Sequence, residues 1–270
     1  MPMMPEERRQ RILNYLAEHA FADVDTLVQV LQASPATVRR DLNDLADRGI
    51  ISRTRGGAAL VVHGVGHEPS YLARAKEHVS DKQVIAQLAS TFAQEGEVIV
   101  LDVGTTTLEL AKAIRDRRNI TVFTASLLIA QVLANSEVSV VMVGGTLRKK
   151  EMSVAGPIPP QVISQFHFDR FFLGTAGVSV ESGFTDFSID DVEVKKAFLA
   201  RSKEVIALAD HTKLDQVSFV SICPLSAVHR LITDSSANQA QVEALRQAGL
   251  EVILAACRGD SDEHPAPGAN

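Results

Sequence analysis

From Lys82 to Leu254 the hydrophobic period of the chain keeps switching. Seven apolar runs rich in β-branched residues occur there: Val98–Leu101, Ile120–Thr124, Val138–Val143, Phe171–Leu173, Val205–Ala209, Leu231–Thr233 and Val252–Leu254. Stretches with helical spacing separate most of them, among them Thr106–Ile114, Ser126–Leu133, Asp191–Ala200 and Gln239–Ala248. Strand–helix alternation of this kind predicts an α/β domain, a mostly parallel sheet with helices on both faces. The spacing places that domain at 81–257, after a linker at 62–80 that contains Gly64, Gly66 and Pro69. Residues 258–270, charged and then rich in Pro, Gly and Ala, are expected to be a disordered tail.

Residues 1–61 follow another pattern. Glu6–His19 has Ile12, Leu13 and Leu16 at helical spacing. Asp23 is placed to cap a second helix carrying Leu27, Val28 and Leu31. Ser34 before Pro35 marks the start of a third, whose buried stripe is Val38, Leu42 and Leu45 and whose end is Gly49. Thr37 and Arg40 lie off that stripe near the helix start, the end of a recognition helix that enters a major groove. Ile50–Arg53 and Ala58–Val61 around Gly56-Gly57 predict a small hairpin carrying Arg53 and Arg55. Three short helices and a basic hairpin make a winged helix-turn-helix.

The net charge of -6 hides an uneven distribution. Residues 1–60 hold eight Arg, no Lys and eight acids, so all the positive charge there is guanidinium, a fork suited to phosphate oxygens and guanine edges. Much of it falls in the pairs Arg8-Arg9, Arg39-Arg40 and Arg53/Arg55. With 46% hydrophobic residues the chain has ample material for a core. Two cysteines, Cys223 and Cys257, cannot staple a fold, and no Cys/His cluster has zinc spacing, so no metal is expected. The polar start from Met1 to Arg11 lacks the apolar stretch of a signal peptide, and no apolar run reaches the ~18 residues of a membrane span. A cytoplasmic protein without membrane partners is the expectation.

In open parallel sheets ligands sit where strands end and helices begin. The first such junction is Asp102-Val103-Gly104-Thr105-Thr106-Thr107: a tight turn, helix amides that favour an anion, and three hydroxyls. It lacks both common nucleotide-binding glycine patterns. Thr124-Ala125-Ser126, Gly144-Gly145-Thr146 followed by Arg148-Lys149-Lys150, Gly174-Thr175-Ala176-Gly177 and Asp210-His211-Thr212-Lys213 follow later strands. Each alone could be ordinary capping chemistry. Small residues, hydroxyls, carboxylates and a lysine at successive strand ends suit a phosphorylated polyol.

These residues carry a resemblance. Ser34-x-x-Thr37-Val38-Arg39-Arg40-Asp41-Leu42, then Leu45, Gly49, Arg53 and Gly56-Gly57-Ala58, resembles the N-terminal signature of the DeoR family of bacterial transcriptional regulators. Asp102-x-Gly104-Thr105-Thr106, Gly144-Gly145, Phe172-Leu173-Gly174-x-x-Gly177, Gly183-Phe184-Thr185, Glu193-x-Lys195 and Ala209-Asp210-x-x-Lys213 are similar, in order, to that family's sensor domain. The resemblance covers residues 4–255 and implies a repressor of a carbohydrate or sugar-alcohol operon, a homodimer or homotetramer, released from double-stranded operator DNA by a phosphorylated sugar or sugar alcohol. DNA contacts are then expected from Ser34, Thr37, Arg39, Arg40, Arg53 and Arg55, and effector contacts from Asp102, Gly104, Thr105, Thr106, Thr107, Ser126, Gly145, Lys150, Lys195, Asp210 and Lys213. No cofactor besides the effector is implied.

The resemblance also implies a sensor fold like ribose-5-phosphate isomerase and the CoA transferases, so an isomerase-like enzyme is the alternative. Proton shuttling on a sugar phosphate needs carboxylates at the reacting carbon. The isomerases carry Asp-Gly-Ala-Asp-Glu where this chain reads Gly174-Thr175-Ala176-Gly177-Val178, without a carboxylate, which favours binding over catalysis. Two departures stand out: Ala125 replaces a frequent Asn, and His211 replaces a hydroxyl residue between Asp210 and Lys213.

Overall fold

The structure is a computed structural model that describes residues 4–19, 21–47, 50–54, 56–60 and 68–256. The chain divides into two compact units, Met1–Glu77 and His78–Asn270. Gly49, Arg55, Val61, Gly64, Gly66, Cys257 and the expected tail lie outside the described residues.

In the first unit the elements run α1 (Pro5–His19), β1 (Phe21–Asp23), α2 (Val24–Leu31), α3 (Pro35–Asp47), β2 (Ile51–Thr54), β3 (Gly57–Leu60) and α4 (Tyr71–Lys76). Asp23 caps α2, its carboxylate accepting from Thr26 N at 2.6 Å. Ser34 caps α3, its hydroxyl accepting from Thr37 N at 3.2 Å. The core is the expected one: Ile12 and Leu16, Leu27 and Leu31, then Val38, Leu42 and Leu45, closed by Ile51 and Ala58 of the hairpin. Strand β1 was not legible, because a three-residue strand has no period to display. It pairs antiparallel with β3, so the sheet order is β1-β3-β2.

One of the three arginine pairs is structural. Arg8 donates to the buried Asp41 of α3 from both Nε and Nη2, the second bond being 3.0 Å. Arg9 reaches Asp44 at 3.2 Å. A buried carboxylate needs such a partner, so these two guanidiniums pin α1 across α3. The segment read as a linker is also partly ordered. Ser70 caps α4 by accepting from Ala73 N at 3.2 Å, and α5 (Val79–Ser90) begins before residue 80.

The second unit continues with β4 (Val98–Leu101), α6 (Thr105–Ile114), β5 (Thr121–Thr124), α7 (Leu127–Leu133), β6 (Ser139–Met142), β7 (Thr146–Arg148), β8 (Ser153–Ala155) and α8 (Ile158–Ile163). It then runs through β9 (Phe168–Gly174), β10 (Gly177–Ser179), β11 (Gly183–Asp186), α9 (Ile189–Leu199), β12 (Ser202–Leu208), β13 (Val220–Cys223), β14 (Arg230–Asp234), α10 (Gln239–Gln247) and β15 (Glu251–Ala255). The seven strands expected from the apolar runs form one all-parallel sheet, ordered β15-β14-β12-β9-β4-β5-β6. Alternate residues of each strand face opposite cores. Val100, Phe171, Leu173, Val205 and Ala207 pack in one core with Phe198 of α9 and Leu245 of α10. Ile99, Leu101, Phe172, Ile206 and Leu208 pack in the other with Ile85 of α5 and Leu110 of α6. Strands covered on both faces are why the runs read as continuous rather than alternating hydrophobicity.

Two smaller sheets complete the unit, the hairpin β7-β8 and the antiparallel β10-β11-β13. Cys223 lies buried on β13, where desolvation pushes its thiol up to about 11, so it is a neutral core side chain at physiological pH. No helix among the described residues is long and apolar enough to cross a membrane.

Candidate functional site

On the first unit, Arg39 and Arg40 of α3 and Arg53 of β2 are exposed, and their side chains make no hydrogen bond or ion pair among the described residues. Three unpartnered guanidiniums on a capped helix and an adjoining hairpin form a cationic surface able to meet phosphate. Thr37 is half-buried and its hydroxyl lies 2.8 Å from that of Ser34, so Ser34 works as cap and as support for Thr37. Arg55 lies outside the described residues.

The larger unit has a topological switch. From β4 the chain builds outward through β5 and β6, then returns to β9 on the other side of β4. The carboxyl ends of β4 and β9 therefore diverge into a crevice where ligands bind in such sheets. Gly104 lies at the start of α6, and Thr105, Thr106 and Thr107 form its first turn. Thr107 is fully buried and donates to the Asp102 carbonyl at 2.7 Å, so its hydroxyl holds the loop. The hydroxyls of Thr105 and Thr106 are not bonded to any described residue. They stand at a helix N-terminus, whose orphan amides and dipole attract an anion.

Beneath this turn, Asp102 and Lys195 meet. Lys195 Nζ pairs with Asp102, reaches Asp186 at 3.2 Å and donates to the Gly174 carbonyl at 2.9 Å. Asp102 also accepts from Gly174 N at 2.9 Å and Val103 N at 2.8 Å. All three ammonium protons of Lys195 are thus spent on protein acceptors. Lys195 and Asp102 were expected to touch the effector; their geometry makes them a strut joining β4, β9 and α9 below the crevice. Burial would lower the Lys195 ammonium, but Asp102 and Asp186 facing it hold it above the ordinary lysine value. Gly174 leaves room for the approach: a Cβ there would make a tight 3.2 Å contact with the Val103 carbonyl and an ordinary 3.9 Å contact with Lys195 Nζ.

Asp210 caps a 3₁₀ turn, His211–Lys213, that ends with Lys213 just beyond β12, the strand beside β9. One Asp210 oxygen accepts from Thr212 N at 3.1 Å and from the Thr212 hydroxyl. Its other oxygen bonds no described residue. Burial pushes the Asp210 carboxyl up, yet Lys213, the Thr212 hydroxyl, Lys82 and His78 together hold it below the usual carboxylate value. It stays an anionic acceptor at neutral pH. The ammonium of Lys213 has no ion-pair partner among the described residues.

The remaining expected residues lie further along the same edge or off it. Ser126 is buried, caps α7 by accepting from Ile129 N at 3.3 Å and bridges to Ser153 of β8. Gly145 has φ +152, and a Cβ would come 2.8 Å from the Ala155 carbonyl, so it serves the β7-β8 fold. Lys150 is exposed in the β7-β8 turn, while Arg148 pairs with Asp191 in the first turn of α9. Asp186 is the participant sequence reasoning missed. It follows Gly183-Phe184-Thr185 at a strand end, but nothing local ties it to a lysine on the next helix.

The DeoR-like helix-turn-helix domain matches residues 8–63, and the DeoR C terminal sensor domain matches residues 77–235. The HTH-type transcriptional regulator GlpR of Haloferax volcanii is 34% identical, the match covering 93% of this chain and 98% of that protein. The HTH-type transcriptional repressor GlcR of Bacillus subtilis is 35% identical over 93% of this chain and 97% of that protein. Among solved structures, ribose 5-phosphate isomerase A of Methanocaldococcus jannaschii is similar at a TM-score of 0.37 and 16% identity, covering 49% of this chain and 52% of the other. With both domains matched in order, and relatives aligned over nearly their full length, the chain belongs to the DeoR family of helix-turn-helix transcriptional regulators.

Proposed function

We propose that this regulator represses a carbohydrate or sugar-alcohol utilisation operon and is released from its operator by a phosphorylated sugar or sugar alcohol. The observation that carries the effector class is the set of unspent polar groups just beyond β4 and β12, the strands on either side of β9: Thr105 and Thr106 at the start of α6, one Asp210 oxygen and the Lys213 ammonium. Cation, hydroxyls and helix amides suit a phosphate, and the carboxylate suits sugar hydroxyls. No carboxylate stands at 174–178, as an isomerase would need, so the site binds rather than transforms.

The DNA-bound form is a homodimer or homotetramer acting in the cytoplasm, presenting paired α3 helices to half-sites about one helical turn apart or its multiples. Self-association is supported by β6, whose outer edge pairs with no strand among the described residues and whose Val141 and Met142 are exposed, as is Leu147 of β7. Effector binding then favours the form with poorer operator affinity, and operator DNA weakens effector binding by the same factor. Lys213→Ala should weaken a phosphorylated ligand about 10- to 100-fold in calorimetry, the loss of one charge-assisted contact, while the dephosphorylated compound is unaffected. Unchanged affinity for the phosphorylated ligand removes Lys213 from the site.

A further inference from the structure

A second set of polar groups gathers where α5 begins. His78 precedes this helix with φ +50, in the left-handed region that few histidines adopt. Its Nδ1 lies 3.2 Å from Asp81 Oδ2. His211 Nδ1 approaches that same oxygen at 3.9 Å, and the two imidazoles stand edge to face with centroids 4.9 Å apart. Each of the three residues offers one ligand atom, and these atoms all lie within 4.8 Å of one another. Behind them Asp234 is wholly buried. Its carboxylate is fixed by His211 N at 2.7 Å and Ser236 N at 3.1 Å, and it sits 2.9 Å from His211 Nδ1.

We infer that His78, Asp81 and His211 form a binding site for a divalent cation of the zinc class, with a fourth position left for water or a ligand. Two imidazoles and one carboxylate are a borderline donor set, suited to Zn²⁺ and its neighbours rather than to Mg²⁺ or Ca²⁺, which take oxygens. Around a tetrahedral zinc with ligands at ~2.0–2.1 Å, donor atoms stand ~3.3 Å apart. The His78–Asp81 separation is already there, and the three donor atoms, all within 4.8 Å of one another, draw in further to close on the ion. Asp234 holds His211 through Nδ1, which leaves Nε2 for the ion, and supplies the buried carboxylate that fixes and polarises a metal-bound imidazole. Sequence spacing does not betray this site. Only His78 and Asp81 are neighbours, and the third donor comes from a strand end far along the chain. It is also the position where an imidazole replaces the family's hydroxyl.

The test uses the full-length chain, stripped with a chelator and titrated with zinc chloride by calorimetry, beside His211→Ser and His78→Ala. The expected result is one zinc bound per chain, weakened in each variant by about tenfold or more, with metal-free circular dichroism spectra that match the parent. Cobalt(II) should give the visible absorption of a four-coordinate site in the parent and lose it in both variants. Absence of zinc uptake, or equal affinity and stoichiometry in all three proteins, overturns the assignment. Because metal is read directly, that outcome leaves the phosphorylated-effector reading standing, and loss of the effector response in Lys213→Ala leaves the metal site standing.

Discussion

Lys195→Met is expected to lower the thermal midpoint of the larger unit by about 10 °C. The side chain is nearly isosteric, so packing is kept and charge is what changes. The parent buries one ammonium against Asp102 and Asp186, with both side chains deep below the crevice. Removing one partner from a buried ion pair costs about 3–5 kcal/mol, because the remaining charge has lost its compensation. For a unit of this size each kcal/mol moves the midpoint by about 2–4 °C. Adding Asp102→Asn to the methionine variant should return part of the loss, since one uncompensated carboxylate is then gone. Asp186 stays unpaired and keeps the recovery incomplete. A methionine variant that melts with the parent, followed by far-UV circular dichroism, removes the strut from the account.

Arg40→Ala is expected to weaken specific operator binding by about 10- to 100-fold and to relax sequence preference, while leaving non-specific binding nearly unchanged. Arg40 is exposed and holds no partner among the described residues, so its loss leaves the helical head folded. Position decides its role: it lies in the early part of α3, off the buried Val38, Leu42 and Leu45 stripe, where a recognition helix meets base edges. Arg53 on the hairpin should behave differently. Arg53→Ala should weaken all sequences alike and reduce the salt slope by about one, the signature of a lost phosphate contact. Footprinting of Arg40→Ala at parent concentrations with the parent pattern contradicts the assignment of α3.

The larger sheet was legible because its central strands are buried on both faces and leave continuous apolar runs. The caps were legible because Asp23 and Ser34 act on amides three residues away. Sequence could not show what the arginines and lysines do once folded. Arg8 meets Asp41 across 33 positions, and Lys195 meets Asp102 across 93, so no local period records either pair. The same blindness turned two expected ligand contacts into a strut. The small antiparallel sheet was hidden for another reason: β10 and β11 are three and four residues of Gly, Ser, Thr, Asp and single apolar side chains, which reads as loop. The strand-end positions of Thr105, Thr106, Asp210 and Lys213 were legible, since local motifs and a readable topology place them.

Occupancy of the strand-end cleft by a phosphorylated metabolite is expected to lower the affinity of the helical head for its operator. Fluorescence anisotropy of labelled operator with the full-length chain, titrated with phosphorylated sugars and polyols and their dephosphorylated forms, tests it directly. At least one phosphorylated compound should release the DNA from the parent, its dephosphorylated form should not, and Lys213→Ala should need far more of it. Release that ignores the phosphate, or that proceeds equally in Lys213→Ala, contradicts the claim.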